Sequence, residues 1–226
     1  MRSLVAALIL LLPTAAFGSP ISVGGFSFTA GEAAFADSGS LVSGSGVRFN
    51  CTAGGTAASS YAEALSGSDV TQCVNVAGGG DGVVEVQFTD NAVQNGAGVD
   101  LIIFEVSGPQ SPGTPDPAEH FEVSIFNGTA FSAFVGFDPV ATGFGTPDPT
   151  LDIFAVQIDL SSFGIAPGAS VDRVRLHLFD NGLGSKGGDI AALGALNSVP
   201  DPSTALLVSS FILVLAGRRG RSRSTK

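Results

Sequence analysis

Apolar and polar residues alternate along most of the middle of this chain, and a period of two is the mark of strands with one buried face. Val84, Val86 and Phe88 alternate with Glu85 and Gln87, and Phe121, Val123 and Ile125 with Glu122 and Ser124. Phe154, Val156, Ile158 and Leu160 alternate with Ala155, Gln157 and Asp159, while Val174, Leu176 and Leu178 face away from Arg173, Arg175 and His177. Leu101-Ile102-Ile103-Phe104 is apolar throughout, which predicts a strand buried on both faces. Turns rich in Gly or Pro separate these runs. Glu63 to Leu65 reads as a single helical turn, and no longer helical stripe stands out between Ser19 and Ser198. The pattern predicts an all-β domain over residues 19–198, an antiparallel β-sandwich of jelly-roll type.

Two longer stretches are apolar without alternating, and both lie at the ends. Met1-Arg2, the run Leu4 to Leu12 and the small residues of Pro13 to Gly18 form the three regions of a secretory signal peptide, residues 1–18. Cleavage after Gly18 or after Ala16 satisfies the small-residue rule, and a retained signal anchor is the alternative. Near the other end, the run Ala205 to Ala216 leads into Arg218, Arg219, Arg221 and Arg223. Twelve residues in that run, at ~1.5 Å each, span about 18 Å against a hydrocarbon core of ~30 Å. Extension into Ser203, Thr204 and Gly217, with arginines snorkelling to the headgroups, brings it to a short transmembrane helix. The arginines then stay on the cytoplasmic side, and everything upstream lies across the membrane. A buried core helix with a basic end is the alternative.

The segment Val199-Pro200-Asp201-Pro202-Ser203-Thr204, the apolar run and the cluster at Arg218 and Arg219 together resemble the PEP-CTERM sorting signal of exported bacterial proteins. The resemblance covers residues 199–226 only. The usual core of that signal is Pro-Glu-Pro; Asp201 departs from it but keeps a carboxylate between two prolines. What the resemblance implies is recognition by an exosortase, a membrane cysteine transpeptidase or protease. The membrane anchor would be transient, and the protein would reach the cell surface or an exopolysaccharide matrix. Pro-Asp-Pro recurs at Pro115-Asp116-Pro117 and at Pro147-Asp148-Pro149. Only the third copy precedes an apolar run and a basic cluster, so the combination, not the tripeptide, carries the resemblance.

Charge changes the picture once the ends are set apart. Residues 19–198 hold four Lys or Arg (Arg48, Arg173, Arg175 and Lys186) against nineteen Asp or Glu, a net charge of −15. Such a domain repels phosphate backbones, which excludes nucleic acid as a partner. Cys51 and Cys73 are the two cysteines, and in an exported chain they are expected to pair. The bridge would pin the Gly-, Ala- and Ser-rich stretch between them, with a gain of about 3 kcal/mol from closing that loop.

The candidate chemistry lies in loops. Phe88-Thr89-Asp90-Asn91 leads through Gly96 and Gly98 to Asp100-Leu101-Ile102, and Leu178-Phe179-Asp180-Asn181 leads through Gly184 and Gly188 to Asp189-Ile190. Asp90, Asn91, Asp100, Asp180, Asn181 and Asp189 are oxygen donors of the type that binds calcium, on flexible glycine-rich loops. The other reading is turn chemistry, in which Asp and Asn bond their own backbone and Gly supplies positive φ. The stretch from Asp-Asn to Asp-Leu-Ile-Ile-Phe-Glu also resembles a segment of other exported proteins with the PEP-CTERM signal. His120 shares a strand face with Glu122 without a third ligand, and His177 sits beside Arg173 and Arg175; both histidines read as solvated or structural, and no nucleophile elbow, phosphate-binding loop or zinc-spaced set is present. The expectation is a non-enzymatic surface or matrix protein that binds glycan or calcium. The alternative is a secreted carbohydrate-active hydrolase with paired carboxylates such as Glu105 and Glu122, whose separation would decide the matter.

Overall fold

Each alternating run becomes a strand, in a computed structural model that describes residues 18–180, 182 and 187–200. The strands are β1 (Ile21–Val23), β2 (Phe26–Phe28), β3 (Ser38–Thr52), β4 (Gln72–Gln87), β5 (Asn91–Gln94), β6 (Leu101–Ser107) and β7 (Phe121–Ile125). They continue as β8 (Val135–Phe137), β9 (Val140–Gly145), β10 (Asp152–Ile158), β11 (Ser170–Val171), β12 (Arg173–Phe179), β13 (Ile190–Ala195) and β14 (Ser198–Pro200). Among the described residues, three 3-10 turns and one short α-helix, α1 (Tyr61–Leu65), interrupt them. It starts at a capping box: the Ser60 hydroxyl accepts the Glu63 amide, and the Glu63 carboxylate accepts the Ser59 amide at 2.7 Å.

The main sheet runs in the order β8-β7-β12-β4-β13-β6-β10-β9, with β3 also paired to β4. Every pairing with a defined register is antiparallel. The long β4 belongs to both halves of this order. Its end from Asp81 to Gln87 pairs with β12, while Val74 near its start pairs with β13. The first and last strands of the order, β8 and β9, are separated in the chain only by Asp138 and Pro139. The sheet therefore curls until its ends meet at that corner.

One apolar cluster fills the curl. Val84 and Val86 from β4, Val123 from β7 and Leu176 from β12 join Leu101 and Ile103 from β6, Val156 from β10 and Leu193 from β13. The other face of β6 and β10 is covered as well: Ile102, Phe104, Ile153 and Ala155 pack under Phe28 and Phe35. That second layer is the reason Leu101 to Phe104 lacks alternation. Full burial of a ring such as Phe104 is worth up to about 3 kcal/mol. The expected antiparallel all-β domain is thus present. β4 runs through both halves and joins them as one curled sheet.

The bend is built into the β3–β4 ribbon. Its register shifts between Leu41 and Ser43 and again between Ser45 and Val47, and such bulges bend a strand. Gly44 sits at φ +91, where a methyl group would lie 2.2 Å from the Asp81 carbonyl oxygen, so only glycine lets the two strands cross here. At the far end of the ribbon, Cys51 lies opposite Cys73, and the expected disulfide joins them.

Residues 1–17 of the expected signal peptide, and Asp201, Pro202, Ser203, Thr204, Arg218 and Arg219 of the expected sorting signal, lie outside the described residues; Pro200 ends β14. Among the described residues, no helix is long and apolar enough to cross a membrane.

Candidate functional site: an acidic cleft around His177

Strand β12 shows how the sequence places polar chemistry on the outside of the curl. Val174, Leu176 and Leu178 are fully buried, so Arg173, Arg175 and His177 must face outward. Register then gives each a partner. Arg175 lies opposite Glu85, and its Nε and Nη2 both reach the Glu85 carboxylate at 2.9 Å. Phe126 and Phe131 fold over this pair, with the Arg173 guanidinium 3.5 Å from the Phe126 ring centre and that of Arg175 3.8 Å from Phe131. Both arginines are held by charge and ring together, and this end of the face is closed.

The other end is open. His177 lies opposite Glu122 of β7, and its Nδ1 meets Glu122 Oε2 at 2.7 Å. On the far side of the ring, Nε2 meets Asp81 Oδ2 at 3.1 Å. The imidazole is thus clamped between two carboxylates from neighbouring strands. Burial alone would lower its pKa, but the hydrogen bonds and charges of Glu122 and Asp81 outweigh it and leave the pKa raised. The rings of Phe179 and Phe134 flank the imidazole, with centres at 5.0 and 5.5 Å. A cleft of about 640 Å³ opens here, lined by Gly79, Asp81, Glu122, His177, Phe179 and Asp180 among others. It offers carboxylate acceptors, backbone of a glycine turn and an aromatic surface side by side.

His120 stays beside the cleft, its ring centre 5.9 Å from that of Phe179. It precedes β7, and its Nδ1 meets Asp138 Oδ1 at 2.6 Å at the corner where the sheet closes. No sequence signal marked Asp81 as a partner of His177, since the two are 96 residues apart.

The six expected calcium donors are placed as follows. Asp90 is exposed; burial and then the charge of Asp37 raise its pKa, while the Asp37 carboxylate accepts the Asp90 amide. Asn91 is buried and donates to the Ala33 carbonyl at 2.6 Å and to Ser198 Oγ. Asp100 is fully buried, and both its oxygens are used: Oδ1 accepts from the Gly96 amide and Asn197 Nδ2, and Oδ2 from the Leu160 amide, all within 2.9 Å. Asp180 accepts from the Gly79 and Gly182 amides, which lower its pKa. Asn181 lies outside the described residues. Asp189 immediately precedes β13, and its carbonyl accepts the Val106 amide at 3.0 Å. Asn91, Asp100 and Asp180 therefore each bond to backbone or side-chain groups of the surrounding loops. Among the described residues, no group of three or more His, Cys, Asp or Glu side chains is arranged to hold a metal ion.

The two alike segments have a structural counterpart: they follow β4 and β12, which pair, and lead to β6 and β13, which also pair. The alternative carboxylate pair is split. Glu122 lines the cleft, whereas Glu105 of β6 is fully buried with the core residues. Burial first, then the carboxylates of Glu119, Asp189 and Asp116, hold the Glu105 pKa well above the usual carboxylate range.

No family model matches this chain, and a search of curated proteins finds no match for it either.

Proposed function

We propose that this chain is an exported bacterial protein of the cell surface or exopolysaccharide matrix, non-enzymatic, whose β domain binds glycan at the His177 cleft. The tail residues Pro200 to Thr204, Arg218 and Arg219, with the PEP-CTERM resemblance, support sorting through an exosortase. Opposition of β7–β12 and β6–β10 across one core supports a jelly-roll relationship within the curled sheet.

The clamp of His177 between Glu122 and Asp81 is the observation that carries the binding reading. It fixes two carboxylates as acceptors for sugar hydroxyls, and the adjacent Phe179 ring offers an apolar surface for the C–H face of a pyranose. The same clamp argues against hydrolysis. Paired-carboxylate chemistry needs the space between the acids for the glycosidic oxygen, and in the inverting case for a water. Here the imidazole fills that space. With a net charge of −15 over residues 19–198, the ligand should be neutral or cationic, since an acidic polymer is repelled.

Binding of the full chain to dextran, chitosan and alginate, measured by co-sedimentation, tests this. Chitosan or dextran should be retained and alginate not, and His177→Ala and Phe179→Ala should each weaken retention. Release of reducing sugar by the parent protein would overturn the non-enzymatic reading. For sorting, mass spectrometry of protein from surface material should find chains that lack Arg218 to Lys226; intact tails would refute removal of the anchor.

A further inference from the structure

A neutral imidazole carries one N–H and one bare nitrogen, and only the protonated ring donates from both. Both ring nitrogens of His177 meet a carboxylate oxygen, Nδ1 at Glu122 Oε2 (2.7 Å) and Nε2 at Asp81 Oδ2 (3.1 Å). Ionised carboxylates only accept. Both contacts are therefore hydrogen bonds at once only while His177 holds its proton. Loss of that proton sets a lone pair against an anion on one side of the ring.

The other charged groups around the ring, among the described residues, are already engaged. Arg175, two residues back on β12, is bound to Glu85. Asp180 accepts the Gly79 and Gly182 amides. His120, across Phe179 from His177, pairs with Asp138. Phe134 and Phe179 cover the flanks of the imidazole without offering a charge. Lys186 lies outside the described residues. The proton on His177 thus decides how Glu122 and Asp81 stand. The two contacts are unequal, since the Glu122 side chain is 33 % exposed and that of Asp81, the more distant, 69 % exposed. A neutral ring keeps its N–H for Glu122, and Asp81, with solvent over most of its surface, turns away.

From this arrangement we infer that the His177 cleft is an acid-switched glycan site, which holds a neutral polysaccharide while His177 is protonated and releases it as the proton leaves. The inference rests on the glycan binding proposed for this cleft. In the protonated state the ring fixes one oxygen of each carboxylate and leaves the other, Glu122 Oε1 and Asp81 Oδ1, to accept sugar hydroxyls. In the neutral state the two carboxylates repel each other without a charge between them. One wall of the cleft then loses its position, and a ligand must order it again. Burial pulls the His177 pKa down, but the hydrogen bonds and charges of Glu122 and Asp81 outweigh it. The change therefore falls above the ordinary histidine value of about 6.5.

The test follows retention of the full chain, purified in detergent, on cross-linked dextran from pH 6 to 9, beside the imidazole nitrogen resonances of His177 by NMR. Dextran has no group that titrates in this range, so any change belongs to the protein. Both ring nitrogens should be protonated at pH 6 and one at pH 9, with a midpoint above about 6.5. Apparent affinity for dextran should be level below that midpoint and fall by up to about tenfold for each pH unit above it. Asp81→Asn places an amide that accepts from the protonated ring or donates to the bare nitrogen. Whatever affinity this variant has at pH 6 should persist to pH 9. Retention by the parent that stays level or rises between pH 6 and 9 overturns the switch and leaves glycan binding intact. A fall with pH that Asp81→Asn shares in full overturns it too. Absence of dextran retention at pH 6 also overturns it, and if chitosan is not retained either, the glycan reading falls with it.

Discussion

Asp100 and His177 both carry polar chemistry on the curled sheet, but one serves the fold and the other faces solvent. Asp100 is buried and accepts three hydrogen bonds, from Gly96, Asn197 and Leu160, so its removal leaves three donors without acceptors. Asp100→Ala should cost roughly 3 kcal/mol or more in urea unfolding, and the loss should be the same in calcium and in EDTA. His177 sits in the open cleft, and its effect appears in pH dependence. Its folded pKa is raised above the ordinary value of about 6.5 by Glu122 and Asp81 against the pull of burial. The folded state therefore holds the proton more tightly than the unfolded chain. The stability it adds is fully present below pH ~6.5 and is lost as pH rises through the higher folded value. Thermal melts from pH 6 to 9 should decline in that window for the parent, and His177→Gln should flatten that part of the decline. An unchanged pH profile in the variant would refute the clamp.

At the scale of elements, the two apolar layers against β6 and the bend of the β3–β4 ribbon decide stability. Phe104 lies under Phe26 and Phe28, with ring centres at 5.9 and 6.0 Å, so Phe104→Ala should cost about 3–5 kcal/mol. Gly44→Ala should be nearly as damaging although it adds a single methyl, because that methyl meets the Asp81 backbone in a conformation L-residues rarely adopt. Strand existence was legible in the sequence because alternation is local: Val84 and Val86, or Val174 and Leu176, announce their buried face without knowledge of a partner. The curl was not legible. It depends on β4 having two partners, and on β8, three residues of weak pattern, at one end. The cleft was hidden for the same reason, since Asp81, Glu122 and His177 come from three strands and meet only through register. Asp100 and Asp180 each accept one local amide, from Gly96 and Gly182, but their other partners, Leu160, Asn197 and Gly79, are distant in the sequence and could not be read from it.

At the scale of the whole molecule, the question is what keeps the sheet curled. The chain offers two answers. One is the tether: Asp138 and Pro139 alone join β8 to β9, with Asp138 bonded to His120 and the Pro139 carbonyl accepting the Asp116 amide at 2.8 Å. The other is the core, in which residues from both halves of the sheet share one cluster. These answers predict different responses to a longer connection. Insertion of about six Gly and Ser residues between Asp138 and Pro139 lengthens a two-residue link by roughly two doublings, an entropic cost of about 1 kcal/mol. If the core holds the curl, the protein should lose little more than this, and amide exchange in β8 and β9 should stay close to that of the parent. If the tether holds it, both edge strands should exchange freely while β4, β6 and β12 remain protected. The size of the shared cluster favours the first outcome, because separating the halves would expose valine, leucine and isoleucine side chains each worth about 1.5–3 kcal/mol. The corner at Asp138 then sets where the ends meet, and the apolar residues that alternate along the chain set that they meet at all.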